Sequence, residues 1–142
     1  MRQQEQGVTL IEFLLVIAII TVIAGTSAPF LSRFVLITNF DSARQKVIST
    51  IRKAQSYAMD GRNNQTWGVC ISGGAIRLYS GTCATPTISE NFTVPFSVSV
   101  SGLSDTTFNS RGEPSSSLSI TVSSSIDSSS IQLNNAGGMS IN

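Results

Sequence analysis

Gly7-Val8-Thr9-Leu10-Ile11-Glu12 leads directly into Phe13-Leu14-Leu15-Val16-Ile17-Ala18-Ile19-Ile20 and on to Ser32, and this stretch decides the fold. From Phe13 to Ser32 no side chain ionises. As a helix rising about 1.5 Å per residue, the stretch reaches about 30 Å, the thickness of one hydrocarbon core. The only charge in the apolar run that opens at Val8 is Glu12, at its very start. A carboxylate just inside a membrane segment is costly and expects a partner. A free amine exposed by cutting the chain after Gly7 is the natural one.

Working outward, the polar leader ending at Gly7, the glycine–glutamate spacing and the apolar helix resemble the class III signal of type IV pilins and pseudopilins. The resemblance implies that a prepilin peptidase cuts after Gly7 and methylates Val8. It also implies that Glu12 neutralises a neighbouring subunit's terminal amine and that the apolar helix becomes the filament core. Pro29 stands where many of these pilins carry a helix-perturbing proline, whereas Val8 replaces the more usual Phe or Met. Two plainer readings compete. Thr9-x-x-Glu12 fits an N-terminal capping box, which would make the segment a simple membrane anchor. A basic start, an apolar stretch and the small residues Ala24 to Ala28 fit a secretory signal peptide. The mixed leader charge (Arg2, Glu5), the acid opening the run and Pro29 just past the cut argue against the latter.

At 142 residues the chain supports one small domain plus its helix. It has no histidine, and charged residues are 12%, about half the usual share. The charge is uneven. Arg33, Arg44, Lys46, Arg52, Lys53 and Arg62 face only Asp41 and Asp60, whereas beyond Cys70 the acids Glu90, Asp105, Glu113 and Asp127 outnumber Arg77 and Arg111. A basic segment on the extracytoplasmic side runs against the positive-inside rule, although Arg33 alone lies close to the apolar end. Cys70 and Cys83 are the only cysteines, and outside the cytoplasm a disulfide is their expected state. Free thiols or an intermolecular bridge are the alternatives. The spacing fits no zinc pattern.

Past Pro29, the positions Phe34, Ile37, Phe40, Val47, Ile51, Ala54 and Ala58 recur at helical steps. They predict an amphipathic helix that Asp60-Gly61 stops. Pro29 predicts a kink around Gly25 to Pro29. Asp41 and Ser42 would cap a second helix if Thr38-Asn39 broke the first. Beyond Gly61 the period changes to two. Thr66 to Ser72 and Ala75 to Ser80 flank Gly73-Gly74 as a hairpin, in which Cys70 opposes Arg77 and Cys83 folds back to reach Cys70. Further strands are expected at Phe92–Val100, Thr106–Ser110, Leu118–Ser123, Ser130–Leu133 and Met139–Ile141. Pro95 marks an edge or bulge. The Ser-rich 115–117 and 123–130 stretches read as connectors.

The helix ending Ala54-Gln55-Ser56-Tyr57-Ala58, the Trp67-Gly68-Val69 strand, Phe108-Asn109-Ser110-Arg111-Gly112 and the closing Ile131-Gln132-Leu133 with Gly137-Gly138 narrow the resemblance. They look like the GspH/FimT group of minor pilins and pseudopilins. Some members of that group are implicated in DNA uptake through basic residues near their C-terminal strands. Here the matching residues 134–142 hold none, and Arg77 and Arg111 make a poor phosphate footprint, so nucleic acid is not an expected partner. Without histidine a Ser-His-Asp arrangement is impossible, and Asp105 and Glu113 read as loop charges rather than paired catalytic carboxylates. No enzymatic activity, cofactor or metal is expected.

The expected fold class is α+β: a long N-terminal helix, half transmembrane and half amphipathic, packed on an antiparallel β-sheet domain. The boundaries are a leader at 1–7, a membrane and filament-core helix at 8–32, an amphipathic helix at 33–61 and a β-rich domain at 62–142. The resemblance implies a minor pilin or pseudopilin of a type IV pilus or type II secretion pseudopilus. Its partners would be the prepilin peptidase, other pilin or pseudopilin subunits in a helical filament, and the cytoplasmic (inner) membrane. The chain would be single-pass with its domain outside, and then part of a periplasmic or extracellular filament. A DNA-binding competence subunit and a major pilin are the alternatives.

Overall fold

The computed structural model describes residues 9–142. The chain opens with α1 (Leu10–Met59). Eight strands follow: β1 (Trp67–Ser72), β2 (Ala75–Gly81), β3 (Pro86–Thr93), β4 (Val98–Ser101), β5 (Thr106–Phe108), β6 (Leu118–Ser124), β7 (Ser128–Leu133) and β8 (Met139–Ile141). This is the α+β class expected, with a 50-residue helix. The chain divides into two units, Met1–Val35 and Leu36–Asn142.

In the first unit the described residues form the helix alone. Its helical backbone runs through Pro29. Leu10, Phe13, Leu14, Ile17 and Ile20 are all exposed, so among the described residues nothing covers this apolar surface. The Thr21 hydroxyl, a polar group inside this stretch, donates to the carbonyls of Ile17 (3.0 Å) and Ala18 (2.9 Å). A helix that satisfies its polar groups internally is suited to an environment without water.

The second unit is the head. From Phe40 onward the helical stripe is buried: Phe40, Ala43, Val47, Ile51, Ala54 and Ala58 enter the core at three- and four-residue steps. The stripe was expected to begin earlier, but Phe34 and Ile37 are 57% and 44% exposed. Period alone cannot say where a covering sheet ends. Helical backbone also continues through Thr38-Asn39, so Asp41 and Ser42 do not start a second helix. Thr50 is buried within the stripe because its hydroxyl donates to the Lys46 carbonyl at 2.7 Å. The helix ends where expected, with Gly61 in the left-handed conformation (φ 58°) just past it.

The β half is antiparallel as expected and forms two four-stranded sheets, ordered β3-β2-β1-β5 and β4-β6-β7-β8. The Gly73-Gly74 hairpin forms as read, with both glycines at positive φ and Cys70 opposite Arg77. Four readings need correction. β3 was not anticipated at Pro86–Thr93, because Thr87, Ser89 and Glu90 give no apolar alternation; β3 gains its order from its ladder with β2. The expected 92–100 strand is two strands, since Pro95 ends one and opens the turn into β4. The expected 106–110 strand stops at Phe108, where Asn109 begins a turn. Ser128 to Ser130 belong to β7, and the connector shrinks to the tight turn at Ser125–Asp127. Pairing with Val122 and Thr121 recruits serines that composition reads as loop.

Helix and sheets share one core. Val47 and Ile51 share a single buried cluster with Trp67, Val69, Ile76 and Leu78 of the first sheet and Ile120, Val122, Ile131 and Leu133 of the second. The first sheet is also buried on its outer face, because the Tyr79 ring lies over Gly68, its cross-strand partner. A Cβ at Gly68 would fall 2.5 Å from the Tyr79 hydroxyl oxygen and 2.7 Å from the Thr106 carbonyl. Gly68→Ala is therefore expected to cost about 1–3 kcal/mol by overpacking. Denaturant unfolding monitored at Trp67 is the measurement, and an unchanged midpoint would contradict the packing described.

Candidate functional site: the N-terminal turn and the pinned loops of the head

Gly7 and Val8, the residues expected at the processing point, lie outside the described residues. Thr9 and Glu12 lie inside them and form the helix start. The Glu12 N–H donates to the Thr9 carbonyl (3.1 Å) and to the Thr9 hydroxyl (3.4 Å), which is the hydroxyl half of a capping box. Among the described residues nothing pairs with the Glu12 carboxylate, which stands exposed in the first turn. A negative charge there is favoured by the helix dipole, so the carboxylate is tolerable in an isolated subunit and remains available to an incoming cation. α1 is long and apolar enough to cross a membrane by length and composition.

In the head, Cys70 and Cys83 are bridged, with Cα atoms 6.3 Å apart. Arg77 secures the same loop: its Nη1 donates to the Cys83 carbonyl (3.0 Å) and its Nε to Asn91 Oδ1 (2.9 Å). This arginine is thus engaged in joining the disulfide loop to β3. Two basic side chains of α1, and Arg62 just past its end, are engaged as well. Lys53 Nζ meets Glu90 of β3 at 2.5 Å, Lys46 lies over the Phe92 ring at 5.2 Å and Arg62 over Tyr57 at 4.2 Å. Glu90 raises the Lys53 pKa, chiefly through that hydrogen bond. Such a half-exposed pair contributes little energy but sets the position of β3 against the helix.

Sequence reasoning missed the role of Gln55. Its Nε2 donates to the carbonyls of Gly112 (3.0 Å) and Gly137 (2.8 Å), tying the loops after β5 and β7 to α1. The signal was present, since Gln55, Gly112 and Gly137 fall in three separate stretches that carry the GspH/FimT resemblance. What sequence lacks is their meeting point. The loops themselves are built on asparagines. Asn109 Oδ1 accepts from the N–H groups of Arg111 and Glu113, and Asn134 Oδ1 accepts from those of Ala136 and Gly138. Asp105 and Glu113 do not come together as a carboxylate pair. Asp105 accepts a hydrogen bond from the Tyr79 hydroxyl, and Glu113 accepts one from Asn109 Nδ2 at 2.7 Å. A cleft of about 740 Å³ over β6, β7 and β8 is lined by Ser, Asn, Gln, Gly and apolar side chains, none titratable.

Comparison with known proteins bears on both parts of the chain. Residues 2–28 match the prokaryotic N-terminal methylation motif. No curated protein matches the chain. Among solved structures, the minor pseudopilin EpsH from the type 2 secretion system of Vibrio cholerae is similar, with a TM-score of 0.54 at 12% identity. The match covers 71% of this chain and 93% of that one. The chain thus carries a prokaryotic N-terminal methylation motif and shares its fold with that minor pseudopilin.

The Tyr79–Asp105 contact gives a pH signature. Burial, with Asp105 beside it, holds the Tyr79 phenol well above its ordinary value of 10.0. A group whose folded pKa is raised contributes stability in full below its unfolded pKa, and loses it as pH climbs toward the folded one. Stability is therefore expected to fall above about pH 10, where the unfolded chain's tyrosine ionises and the folded one does not. Tyr79→Phe should flatten that fall relative to the wild type in denaturation series from pH 8 upward. Equal slopes would count against the contact.

Proposed function

We propose that this chain is a minor pilin or pseudopilin: a non-catalytic structural subunit cut after Gly7 by a prepilin peptidase, methylated on Val8 and assembled through its apolar helix. The observation that carries this reading is the methylation motif over residues 2–28, running into a helix whose apolar face is covered by none of the described residues. Before assembly the helix anchors the subunit in the cytoplasmic membrane with the head outside. On assembly, helices of neighbouring subunits bundle and cover one another's apolar faces. Burying Glu12 unpaired in such a bundle would cost several kcal/mol, which an opposite charge offsets. Glu12 therefore selects the register between subunits, its partner being the terminal amine of a neighbour. The likeness in fold to a secretion-system pseudopilin favours a minor subunit over a major one.

The direct test is intact mass and N-terminal sequencing of the protein from its native membrane. A start at Val8 carrying one methyl group is the expected result, and a chain still beginning at Met1 would refute the processing. Glu12→Ala should leave membrane insertion and head folding intact while lowering recovery in sheared or purified filaments. Undiminished recovery would remove the pairing role.

A further inference from the structure

The outer face of the β4-β6-β7-β8 sheet has a single chemical character. β6 and β7 turn Leu118, Ile120, Val122, Ile131 and Leu133 into the core, and the alternate residues Ser119, Thr121, Ser130 and Gln132 away from it. No charged residue occurs from Pro114 to Ile126 or from Ser128 to Asn142. Asp127, between those segments, sits in the β6–β7 turn, with the length of β7 between it and Leu133. At the Leu118–Leu133 end lies the cleft of about 740 Å³, which takes in Ser119, Gln132 and Ser140. Ligand clefts run from about 300 to 1,000 Å³.

The polar groups of this cleft are uncommitted. Ser119 pairs with Gln132 across β6 and β7, and Gln132 with Ser140 across β7 and β8. Three exposed side chains thus form one row crossing the strands, about 10 Å from end to end at two strand spacings. These three side chains engage no other group among the described residues. Asn134, at the rim, is locked instead. Its Oδ1 accepts from the N–H groups of Ala136 and Gly138 at 3.0 and 2.8 Å, which holds the amide still and leaves the Nδ2 protons unspent. A Cβ at Gly138 would stand 2.9 Å from that Nδ2, so glycine keeps the approach open. Gln55 ties the same loop to α1 through the Gly137 carbonyl. A wall fixed in advance lowers the ordering cost of binding.

The chemistry of the cleft selects its ligand. The serine hydroxyls and the Gln132 amide each donate and accept, and Asn134 Nδ2 donates. An ion entering here would lose hydration without gaining a counter-charge, which disfavours phosphates, carboxylates and amines. No aromatic ring lines the cleft, so a nucleobase has nothing to stack on. An added peptide strand would bond along the β8 edge, but β8 offers only three residues, and the free side chains run across the strands. A neutral molecule rich in hydroxyls fits this set, and half-buried Met139 accepts its C–H face. We propose that the cleft binds a neutral oligosaccharide, whose hydroxyls bond to Gln132, Asn134 and the two serines in place of water. The site lies wholly within the head, so it stands apart from the processing and assembly of the N-terminal helix.

The test places the full chain in phosphatidylcholine nanodiscs, which present no sugar headgroup. It is applied to an array of neutral, acidic and amino-sugar oligosaccharides from bacterial envelopes and from animal cell surfaces. Binding confined to neutral members is expected, and the set that holds the ligand identifies its source. Titration with the strongest binder then compares Gln132→Ala, Gln132→Glu and Ser99→Ala. Gln132 is exposed, so both of its variants should keep the wild-type unfolding midpoint. Ser99 belongs to the same sheet but lies on β4, outside the cleft. Both Gln132 variants are expected to bind about threefold or more weakly, the worth of one neutral hydrogen bond, with Ser99→Ala unchanged. No binding of any neutral member at millimolar concentration would overturn the proposal. Tighter binding of acidic members, or Gln132 variants that bind as well as the wild type, would do the same. Slowed amide exchange along β8 on adding a peptide of the β3 sequence, with no glycan bound, would overturn it in favour of strand addition.

Discussion

An uncharged helical surface about 30 Å long that none of the described residues covers is the constraint on which the rest of this protein depends. Residues such as Phe13, Ile17 and Ile20 need lipid or other helices to take them out of water, since none of the described residues covers them. The demand changes at Phe40, where the same helix begins to bury its stripe under two sheets. One element therefore serves two solvents, and the change falls where Phe40 enters the core and Ile37 does not. Glu12 gains its meaning from this setting. In water it is an ordinary first-turn acid, whereas among packed apolar helices it is a charge that must find its opposite.

The head is organised around that helix. Each sheet alone has one apolar face, and α1 supplies the side chains that join Val69 and Leu78 of one to Ile120 and Ile131 of the other. The polar contacts are few and specific. Gln55 holds two loops with the two protons of one amide, Arg77 holds the disulfide loop to β3, and Lys53 meets Glu90. Lys46 and Arg62 lie over the Phe92 and Tyr57 rings, so these cations too are engaged within the head.

Much of this was legible in the sequence because its signals are local. The glycine–glutamate spacing, the uncharged run, the 3.6-residue stripe ending at Asp60-Gly61 and the Gly73-Gly74 hairpin each depend on neighbours within a few turns. The cross-strand position of Cys70 against Arg77 followed from the two-residue turn alone. Residues 1–8, which include the expected cut after Gly7, are read from sequence, and the motif match begins at residue 2.

What tertiary structure alone decided is everything fixed by residues distant in sequence. β3 is ordered by pairing with β2 and not by its own polar side chains, and Ser128 to Ser130 are strand only because β6 lies beside them. The split into two sheets, the burial of Tyr79 over Gly68 and the meeting of Gln55 with Gly112 and Gly137 belong to the same class. The sequence by itself determined which segments must leave water and with what period, because hydrophobicity and backbone stereochemistry are properties of each residue and its near neighbours. Which segments meet, and therefore which polar groups find partners and which are left uncommitted on the surface, is a property of the assembled packing.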